Sequence, residues 1–520
     1  MMPRVMIKPS GILLTFLISI GLLSGIILIF PNGNIPITYH FSLQFFTLKS
    51  FTHPWPKEKK DIRDIIATYD TLDNIMTTDS AIIIDTISKV DTFRIDPAQI
   101  ARVKHHIQFP ADSAGVLDNF FKALDDVRIN HAHIHILHYG DSQIEGDRIS
   151  SVIREHFQAN DLFGGCGPGL IPVRGVLQGS ASWRLHDSGN WTKYSNFQKN
   201  TVDPAHNQYG LHCEFFRFIP YPEPDTAQVA IDSSDSLEDQ IILAQVDSVP
   251  LLADPDSAWF EVKSYGAAAA HARYFNQIRL FYAHVEEPVD LIMTINESEI
   301  YHEVLDPGIG LQEKSWPMNG NFKSVRFDFK GTTSPDIYDV VLDCSQGISV
   351  DNLGLRGSAV TNFTGMSPTM LAAQIKAING KMAILQFGVN VVPNVVEHYK
   401  YYENMMYRQI MALKRAVPDI PVLVIGVSDM ARKEETSMES YPNVELIRNA
   451  QRNAAFRSGA AFWDLYEAMG GHNSMVSWVE NEPPYAEKDY THFNPRGARI
   501  IGQMVYDALM EVYYNYKGAQ

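Results

Sequence analysis

The stretch His138-Tyr139-Gly140-Asp141-Ser142-Gln143 joins an apolar run, residues 134–137, to a helical pattern over residues 143–157. A strand that ends in a small-residue turn before a helix exposes the turn, so Ser142 is a candidate nucleophile. A serine hydroxyl is too weakly acidic to attack an ester alone and needs a general base whose tautomer a third group fixes. Far downstream, Asp489-Tyr490-Thr491-His492 has the residue types and the spacing to supply both.

Length and charge limit the classes of function. A chain of 520 residues exceeds what one hydrophobic core normally serves, which predicts two folded units plus appendages. Its net charge of −17, from 43 Lys and Arg against 60 Asp and Glu, argues against nucleic acid as a partner. The same balance favours a substrate that is not strongly anionic. Nothing in the sequence calls for a cofactor.

The N-terminus carries an apolar segment, residues 11–30, preceded by Arg4 and Lys8. Its length suits a helix that crosses a bilayer, and the positive charges are expected to stay on the cytoplasmic side. No small-residue cleavage site follows, so residues 1–30 are predicted to be an uncleaved membrane anchor, with a cleaved signal peptide as the alternative. The rest of the chain is then exported.

Periodicity divides the exported part into a spacer and two interleaved domains. Residues 31–110 are rich in proline and weakly periodic, which predicts a spacer. Strands alternate with amphipathic helices in residues 111–195 and 351–520, which indicates one α/β domain with a parallel sheet covered on both faces. Between them, residues 196–350 contain short β-branched and aromatic runs separated by turn residues, which indicates an inserted antiparallel β-sandwich.

These motifs resemble the SGNH/GDSL hydrolase superfamily, whose four sequence blocks occur here in the expected order. The blocks are Gly140-Asp141-Ser142-Gln143, Asp351-Asn352-Leu353-Gly354-Leu355-Arg356-Gly357, Gln386-Phe387-Gly388-Val389-Asn390 and Asp489-Tyr490-Thr491-His492. The resemblance covers residues 112–190 and 350–514 and implies a three-layer, flavodoxin-like α/β domain. Gln143 departs from the family, in which Leu or His is usual at that position.

The resemblance also implies a role for each block. Ser142 would attack an ester carbonyl, His492 would accept and return the proton, and Asp489 would orient the imidazole. The oxyanion hole would consist of the backbone N–H of Ser142, a backbone N–H at Gly357 and the side-chain amide of Asn390. Gly354 competes with Gly357 for the second position.

Peptidoglycan O-acetylesterases of this superfamily carry an inserted carbohydrate-binding-like module, and the present organisation resembles theirs. This resemblance implies a serine esterase that removes O-acetyl groups from an envelope glycan, anchored in the bacterial inner membrane with its catalytic domain in the periplasm. An O-acyltransferase with the same site and a non-catalytic glycan-binding protein are the alternatives; a lipase or thioesterase is less favoured. Trp259, Tyr265 and Trp316 are either sugar-stacking residues or core of the sandwich.

Other candidate sites carry less chemistry. His131, His133 and His135 alternate along one strand, but no carboxylate or cysteine at ligand spacing joins them, so a metal is not expected. The glycine-rich residues 164–169 are interpreted as a tight loop near the rim of the active site, and Cys166 within them lacks a base. Cys213 and Cys344 either form a disulfide or, with Cys166, are buried thiols.

Overall fold

The computed structural model describes residues 9–30, 34–38, 41–44, 59–69, 96–111, 115–175, 179–200, 202–220, 256–318, 322–434 and 437–518. The chain divides into two compact units: residues 60–430 with 440–520, and residues 1–59 with 431–439. The larger unit contains all four blocks. The two longest stretches outside the described residues are 70–95, in the predicted spacer, and 221–255, in the predicted inserted domain.

The smaller unit begins with helix α1 (Pro9–Ile29). Strands β1 (Asn34–Thr38) and β2 (Phe41–Gln44) pair antiparallel, and β18 (Ala431–Glu434) pairs with β19 (Ser437–Ser440). Within the described part of the chain, no helix combines the length and the apolarity that crossing a membrane requires. Arg4 and Lys8 lie outside the described residues.

The larger unit is built on a five-stranded parallel sheet, which confirms the predicted α/β class. Its strands are β3 (His133–Gly140), β15 (Gly347–Gly354), β16 (Gly380–Gln386), β17 (Val422–Ile425) and β20 (Ala461–Trp463). They lie in the order β15-β3-β16-β17-β20, which is the doubly wound order 2-1-3-4-5 when the strands are numbered along the chain. In such sheets ligands bind at the carboxyl ends of the strands where the order reverses, here between β3 and β16.

Helices cover both faces of this sheet, because apolar side chains alternate along its strands and point to both sides. Ile134 and Ile136 of β3 lie on one face, and Leu137 and Tyr139 lie on the other, all of them fully buried. The first face packs against α4 (Asp118–Asn130), α5 (Ser150–Ala159) and α11 (Pro495–Gly518). The second packs against α6 (Pro368–Ala377), α7 (Lys400–Ala416) and α8 (Val444–Arg457). Two shorter helices, α9 (Leu465–Ala468) and α10 (Ser474–Glu480), follow β20.

Two antiparallel sheets around one apolar core form the inserted domain. One sheet has the order β11-β10-β13-β8-β5 and the other β12-β9-β14-β7-β6, with β4 paired to β14. The strands are β4 (Gly169–Pro172), β5 (Trp183–Asp187), β6 (Thr192–Ser195), β7 (Glu214–Arg217), β8 (Ser257–Ser264), β9 (Gln277–Ala283), β10 (Val289–Ile295), β11 (Glu299–Leu305), β12 (Gln312–Pro317), β13 (Ser324–Lys330) and β14 (Asp336–Asp343). The antiparallel strands therefore begin at Gly169, earlier than the predicted residue 196.

A disulfide joins Cys166, just before β4, to Cys344, just after β14. The suggested Cys213–Cys344 pair is therefore wrong: Cys213 is a buried free thiol whose sulfur lies 4.0 Å from that of Met366. The bond links the two places where the chain passes between the hydrolase domain and the inserted domain. The glycines around Cys166 pack against the amino end of β15, since a Cβ on Gly165 would lie 2.7 Å from the nitrogen of Ile348. The 164–169 loop is thus at the opposite end of the sheet from Ser142, and its predicted place at the rim of the active site is wrong.

The range predicted as a spacer includes two helices that pack on the hydrolase unit, α2 (Arg63–Tyr69) and α3 (Pro97–Arg102). Arg102 forms an ion pair with Asp507 of α11 at 3.1 Å, and the hydroxyl of Tyr69 donates to the carbonyl of Arg102. Gln108 forms a bridge with Phe462 at the open edge of the parallel sheet. These residues cover apolar and polar groups of α11 and β20 and so extend the hydrolase fold on that side.

Candidate active site

Three of the four blocks meet at the carboxyl end of β3 because the parallel register aligns their strand ends. Gly140 lies opposite Gly354 of β15 and Gln386 of β16. A Cβ on Gly140 would lie 2.7 Å from the carbonyl oxygen of Gln386 and 2.8 Å from the side chain of Ile144. Only glycine fits there, so the turn can leave the sheet at once and present Ser142.

Ser142, His492 and Asp489 form a continuous hydrogen-bonded chain. The His492 Nε2 atom lies 2.7 Å from Ser142 Oγ, and His492 Nδ1 lies 2.7 Å from Asp489 Oδ2. A carboxylate at Nδ1 favours the tautomer that carries its proton there, which leaves the Nε2 lone pair for the serine hydroxyl. Both Ser142 and His492 are partly exposed, so a substrate can reach them.

The turn before His492 holds Asp489 in its ionised form. One carboxylate oxygen of Asp489 accepts hydrogen bonds from the backbone N–H groups of Thr491 and His492, at 2.9 and 3.0 Å. Burial raises the pKa of Asp489, but the hydrogen bonds from the side chain and backbone of His492 and from Thr491 outweigh it, so the pKa lies below its ordinary value. A carboxylate that stays charged can stabilise an imidazolium as it forms.

Asp141 connects the first block to the third. It is fully buried, and its carboxylate accepts hydrogen bonds from the backbone N–H groups of Gln143, Gly388 and Val389 at 3.0, 3.0 and 3.2 Å. Burial raises the pKa of Asp141 to about 6, against the lowering effect of these bonds. The residue fixes the serine turn and the loop that leads to Asn390 relative to one another.

Asn390 and Gly357 are in neighbouring loops at this edge of the sheet. The Asn390 side-chain amide donates to the carbonyl of Ser358, the residue after Gly357, at 3.0 Å, and Asn390 is exposed. Gly357 has a φ of +81° and open space around its Cβ position, whereas Gly354 ends β15 with the backbone of Glu145 beside it. The structure brings the second and third blocks together here, and the assignment of the oxyanion N–H to Gly357 or Gly354 stays a prediction.

Gln143 has a structural role that the sequence did not reveal. Its side-chain nitrogen donates to the carbonyl of Thr491 at 2.7 Å and to the hydroxyl of Ser428 at 2.9 Å, and its side-chain oxygen accepts the N–H of Phe493 at 3.4 Å. The amide thus binds the backbone on both sides of His492. An amide in place of the usual Leu or His was the available signal, but nothing in the sequence identified its partners.

Arg148 makes a second connection between the serine turn and the histidine loop. Its guanidinium donates to the carbonyls of Glu145 at 2.8 Å, Ser142 at 2.9 Å and Phe493 at 3.4 Å. Burial lowers the pKa of Arg148, and the nearby acidic side chains act in the opposite direction. Because a guanidinium carries five N–H donors and needs several acceptors, the partly buried Arg148 holds these carbonyls in place around it.

His131, His133 and His135 do not lie together on one face of a strand, as their spacing suggested. His131 caps the carboxyl end of α4, while the rings of His133 and His135 are 4.7 Å apart. His135 is joined by carboxylates that the sequence pattern did not predict, with Asp351 2.8 Å from Nδ1 and Asp343 3.2 Å from Nε2. Burial alone would lower the pKa of His135, but the two carboxylates raise it to about 9. Arg279 donates to Asp343 at 2.6 Å, so a guanidinium already compensates this carboxylate.

A second group, His206, His284 and Asp336, also places its ring nitrogens and carboxylate oxygen together. The backbone N–H of Gln208 donates to His206 Nδ1 at 3.1 Å, and His206 Nε2 lies 2.9 Å from Asp336. A neutral His206 must then carry its proton on Nε2, which leaves no lone pair for a metal at that atom. Arg217 also donates to Asp336 at 3.1 Å, so this group is an ion-pair cluster.

The three aromatic candidates for sugar stacking have different environments. Trp316 is 3% exposed and belongs to the core of the sandwich. Trp259 has the guanidinium of Arg326 over its ring at 4.0 Å. Tyr265 is partly exposed and has the guanidinium of Arg184 over its ring at 3.4 Å.

Comparisons with known proteins agree with this architecture. Residues 329–500 match the model of the GDSL-like lipase/acylhydrolase family, a range that holds the second, third and fourth blocks. This part of the chain is similar to ester hydrolases of the GDSL type. The match excludes Ser142, which lies before the inserted domain and reaches the other blocks only through the fold.

Among solved structures, the chain is similar in fold to a peptidoglycan O-acetylesterase, with a TM-score of 0.54 and 17% identity over 76% of this chain and 96% of that one. A family two carbohydrate esterase from Cellvibrio japonicus matches with 8% identity over 50% and 89% of the two chains, at a TM-score of 0.21. One from Clostridium thermocellum, in complex with cellohexaose, matches with 8% identity over 51% and 96%, also at 0.21. A search of curated proteins finds no match.

Proposed function

We propose that this protein is a serine esterase that removes O-acetyl or other short acyl groups from an envelope glycan such as peptidoglycan. The observation that carries the proposal is the hydrogen-bonded chain from Ser142 through His492 to Asp489, with 2.7 Å at each step. The fold that the chain shares with a peptidoglycan O-acetylesterase supports the glycan as the substrate.

The reaction proceeds in two halves. Ser142 Oγ attacks the acyl carbonyl as its proton passes to His492 Nε2, and Asp489 stabilises the imidazolium. The negative charge on the carbonyl oxygen is stabilised by N–H donors at Ser142, Asn390 and either Gly357 or Gly354. Collapse breaks the ester bond, the sugar oxygen takes the proton from His492, and the acyl group stays on Ser142. Water activated by His492 then attacks, so acetate leaves and Ser142 regains its proton.

The test is acetate release by the full-length protein from O-acetylated peptidoglycan, O-acetylated xylan and p-nitrophenyl acetate. The Ser142→Ala variant is compared with Ser315→Ala, a change at an exposed serine of β12. We expect release from a glycan by the wild type and by Ser315→Ala, and none above background by Ser142→Ala. Release from the small ester alone, with transfer to an added glycan, would instead identify an acyltransferase. Unaltered release by Ser142→Ala would reject the site.

We also propose that the catalytic unit lies outside the cytoplasm, held by a single-pass anchor in the bacterial inner membrane. The apolar sequence of residues 11–30 after Arg4 and Lys8 supports the anchor. The Cys166–Cys344 disulfide favours an oxidising compartment. A C-terminal alkaline phosphatase fusion to the full chain should be active in cells and sediment with membranes. An inactive fusion, or an active one in the soluble fraction, would contradict the proposal.

A further inference from the structure

A cavity of about 390 Å³ lies beside the candidate active site, where the inserted domain meets the hydrolase domain. Gly146 and Arg148, from the turn that follows Ser142, form one part of its wall. Pro495, at the start of α11 and shortly after His492, forms another, and Arg184 and Tyr265 of the inserted domain complete it. The cavity therefore borders both loops that carry the triad. Part of its wall comes from the inserted domain, which contributes no residue to the steps of ester hydrolysis.

Arginines dominate the charge of this cavity. Its described walls contain Arg148, Arg154, Arg184 and Arg499, against the single carboxylate of Glu155. Arg154 is neutralised, because both of its terminal nitrogens donate to Asp147 at 2.6 and 2.8 Å. The chain has a net charge of −17, but this concentration of guanidinium groups makes the cavity locally positive.

Two of these arginines form no ion pair with any described residue. Arg148 donates to three backbone carbonyls. Arg184 uses only Nη1 for hydrogen bonds within the described part of the chain, to the carbonyls of Ser180 and Trp183. Its guanidinium carbon lies over the Tyr265 ring, 3.4 Å from the ring centroid, and this contact holds the group in place. The N–H groups on Nε and Nη2 of Arg184 are then available to a ligand, and a planar pair of donors matches a carboxylate.

We propose that this cavity binds a carboxylate group of the substrate, with Arg184 as the principal contact and Arg148 contributing positive charge. The esterase would then act on acylated glycans that carry carboxylates near the ester, either on a uronic acid or on a peptide attached to the sugar. This inference rests on the proposed glycan esterase for its meaning in catalysis, but the binding site is testable without turnover. The net charge of the chain alone favours a substrate that is not strongly anionic. The inference differs because the cavity is positively charged whereas the whole chain is negatively charged.

The first test compares the KM values of the full-length protein for one O-acetylated, carboxylate-bearing glycan and for the same glycan after its carboxyl groups are reduced to alcohols. We expect the wild type to have a KM about tenfold lower for the charged form, the size of one charge-assisted contact. Arg184→Gln should bring the ratio of the two KM values close to one. Arg326→Gln is the matched control, since Arg326 also covers an aromatic ring of the inserted domain but does not line the cavity.

Arg184→Lys keeps the charge and removes the planar pair of donors, so it should give an intermediate ratio; it also serves if Arg184→Gln does not fold. An equal KM for charged and reduced glycan in the wild type would overturn the inference. So would a ratio in Arg184→Gln or Arg184→Lys that equals the wild-type ratio.

The second test separates this inference from the proposed function. Calorimetry measures binding of an unacetylated uronic acid oligosaccharide and of an unacetylated muropeptide to the full-length wild type, Arg184→Gln and Arg326→Gln. Binding of either ligand that is weakened about tenfold by Arg184→Gln alone supports the site even if no glycan ester is hydrolysed, and the ligand that binds identifies the source of the carboxylate. Binding of neither, or equal binding by all three proteins, would refute it.

Discussion

The side-chain amide of Gln143 should contribute to catalysis as well as to stability, because it binds the backbone on both sides of His492. Gln143→Met keeps the length of the side chain and removes its polar atoms. The variant loses the bonds to Thr491, Ser428 and Phe493 in a place where Gln143 is only 3% exposed. Buried polar groups left without partners cost ~1–3 kcal/mol each, and the 3.4 Å bond is weak, so we expect a loss of ~2–4 kcal/mol in the free energy of unfolding.

The effect on rate follows from the position of His492. A displacement of about 1 Å at a catalytic group costs on the order of 100-fold in rate, and loss of the amide frees the histidine loop without removing Arg148 as its second connection. We therefore expect kcat for p-nitrophenyl acetate to fall about 10- to 100-fold with little change in KM. Steady-state kinetics and urea unfolding of the same preparations measure both quantities.

Gln374→Met is the matched control. Gln374 is also 3% exposed and donates to a backbone carbonyl, that of Tyr209, at 2.9 Å, but it lies on α6 away from the triad. It should lose stability without a comparable loss of kcat. If both variants lose kcat equally, general destabilisation explains the effect; if Gln143→Met loses stability alone, the amide does not position His492. Either result would refute the reasoning.

Three further predictions concern the disulfide, the buried histidine and the oxyanion hole. Replacing Cys166 and Cys344 by serine should lower the free energy of unfolding by ~2–5 kcal/mol and abolish the effect of a reductant on the melting temperature, whereas Cys213→Ala should keep that effect. The folded-state pKa of His135, about 9, exceeds its unfolded value of 6.5, so its contribution to stability should be complete below pH 6.5 and be lost as the pH rises through 9. Urea unfolding from pH 6 to 10 should show this decrease in the wild type and a flatter profile in His135→Gln. Asn390→Ala should lower kcat for p-nitrophenyl acetate about 100-fold with an unchanged melting temperature, because the residue is exposed; an unchanged kcat would remove Asn390 from the oxyanion hole.

Local pattern predicted the framework of the site because its parts are encoded by neighbouring residues. The apolar run before Gly140 predicted the strand β3, and the Asp489 to His492 spacing predicted a carboxylate on one ring nitrogen. The order of the blocks then implied that they meet, and the parallel register confirms that the ends of β3, β15 and β16 adjoin. The α/β class with added antiparallel sheets is confirmed by the strand order, and the match of residues 329–500 agrees with the predicted resemblance.

Contacts that depend on topology could not be predicted. Alternation along β3 showed which histidines share a face, but not that Asp343 and Asp351 would reach His135 from two other strands. Three cysteines permit three pairings. The sequence does not show that the chain enters and leaves the inserted domain at adjacent places, which brings Cys166 to Cys344. The bonds of Gln143 to the histidine loop likewise join residues far apart in the chain.

The most direct test of the central claim, that Ser142 is the nucleophile of a serine esterase, is covalent labelling with a fluorophosphonate followed by peptide mass spectrometry. The reagent forms a phosphorus–oxygen bond with an activated serine and releases fluoride. The account predicts one adduct, on Ser142, that is absent after His492→Ala because the general base is lost. An adduct on another serine, or an equal yield on Ser142 without His492, would contradict it.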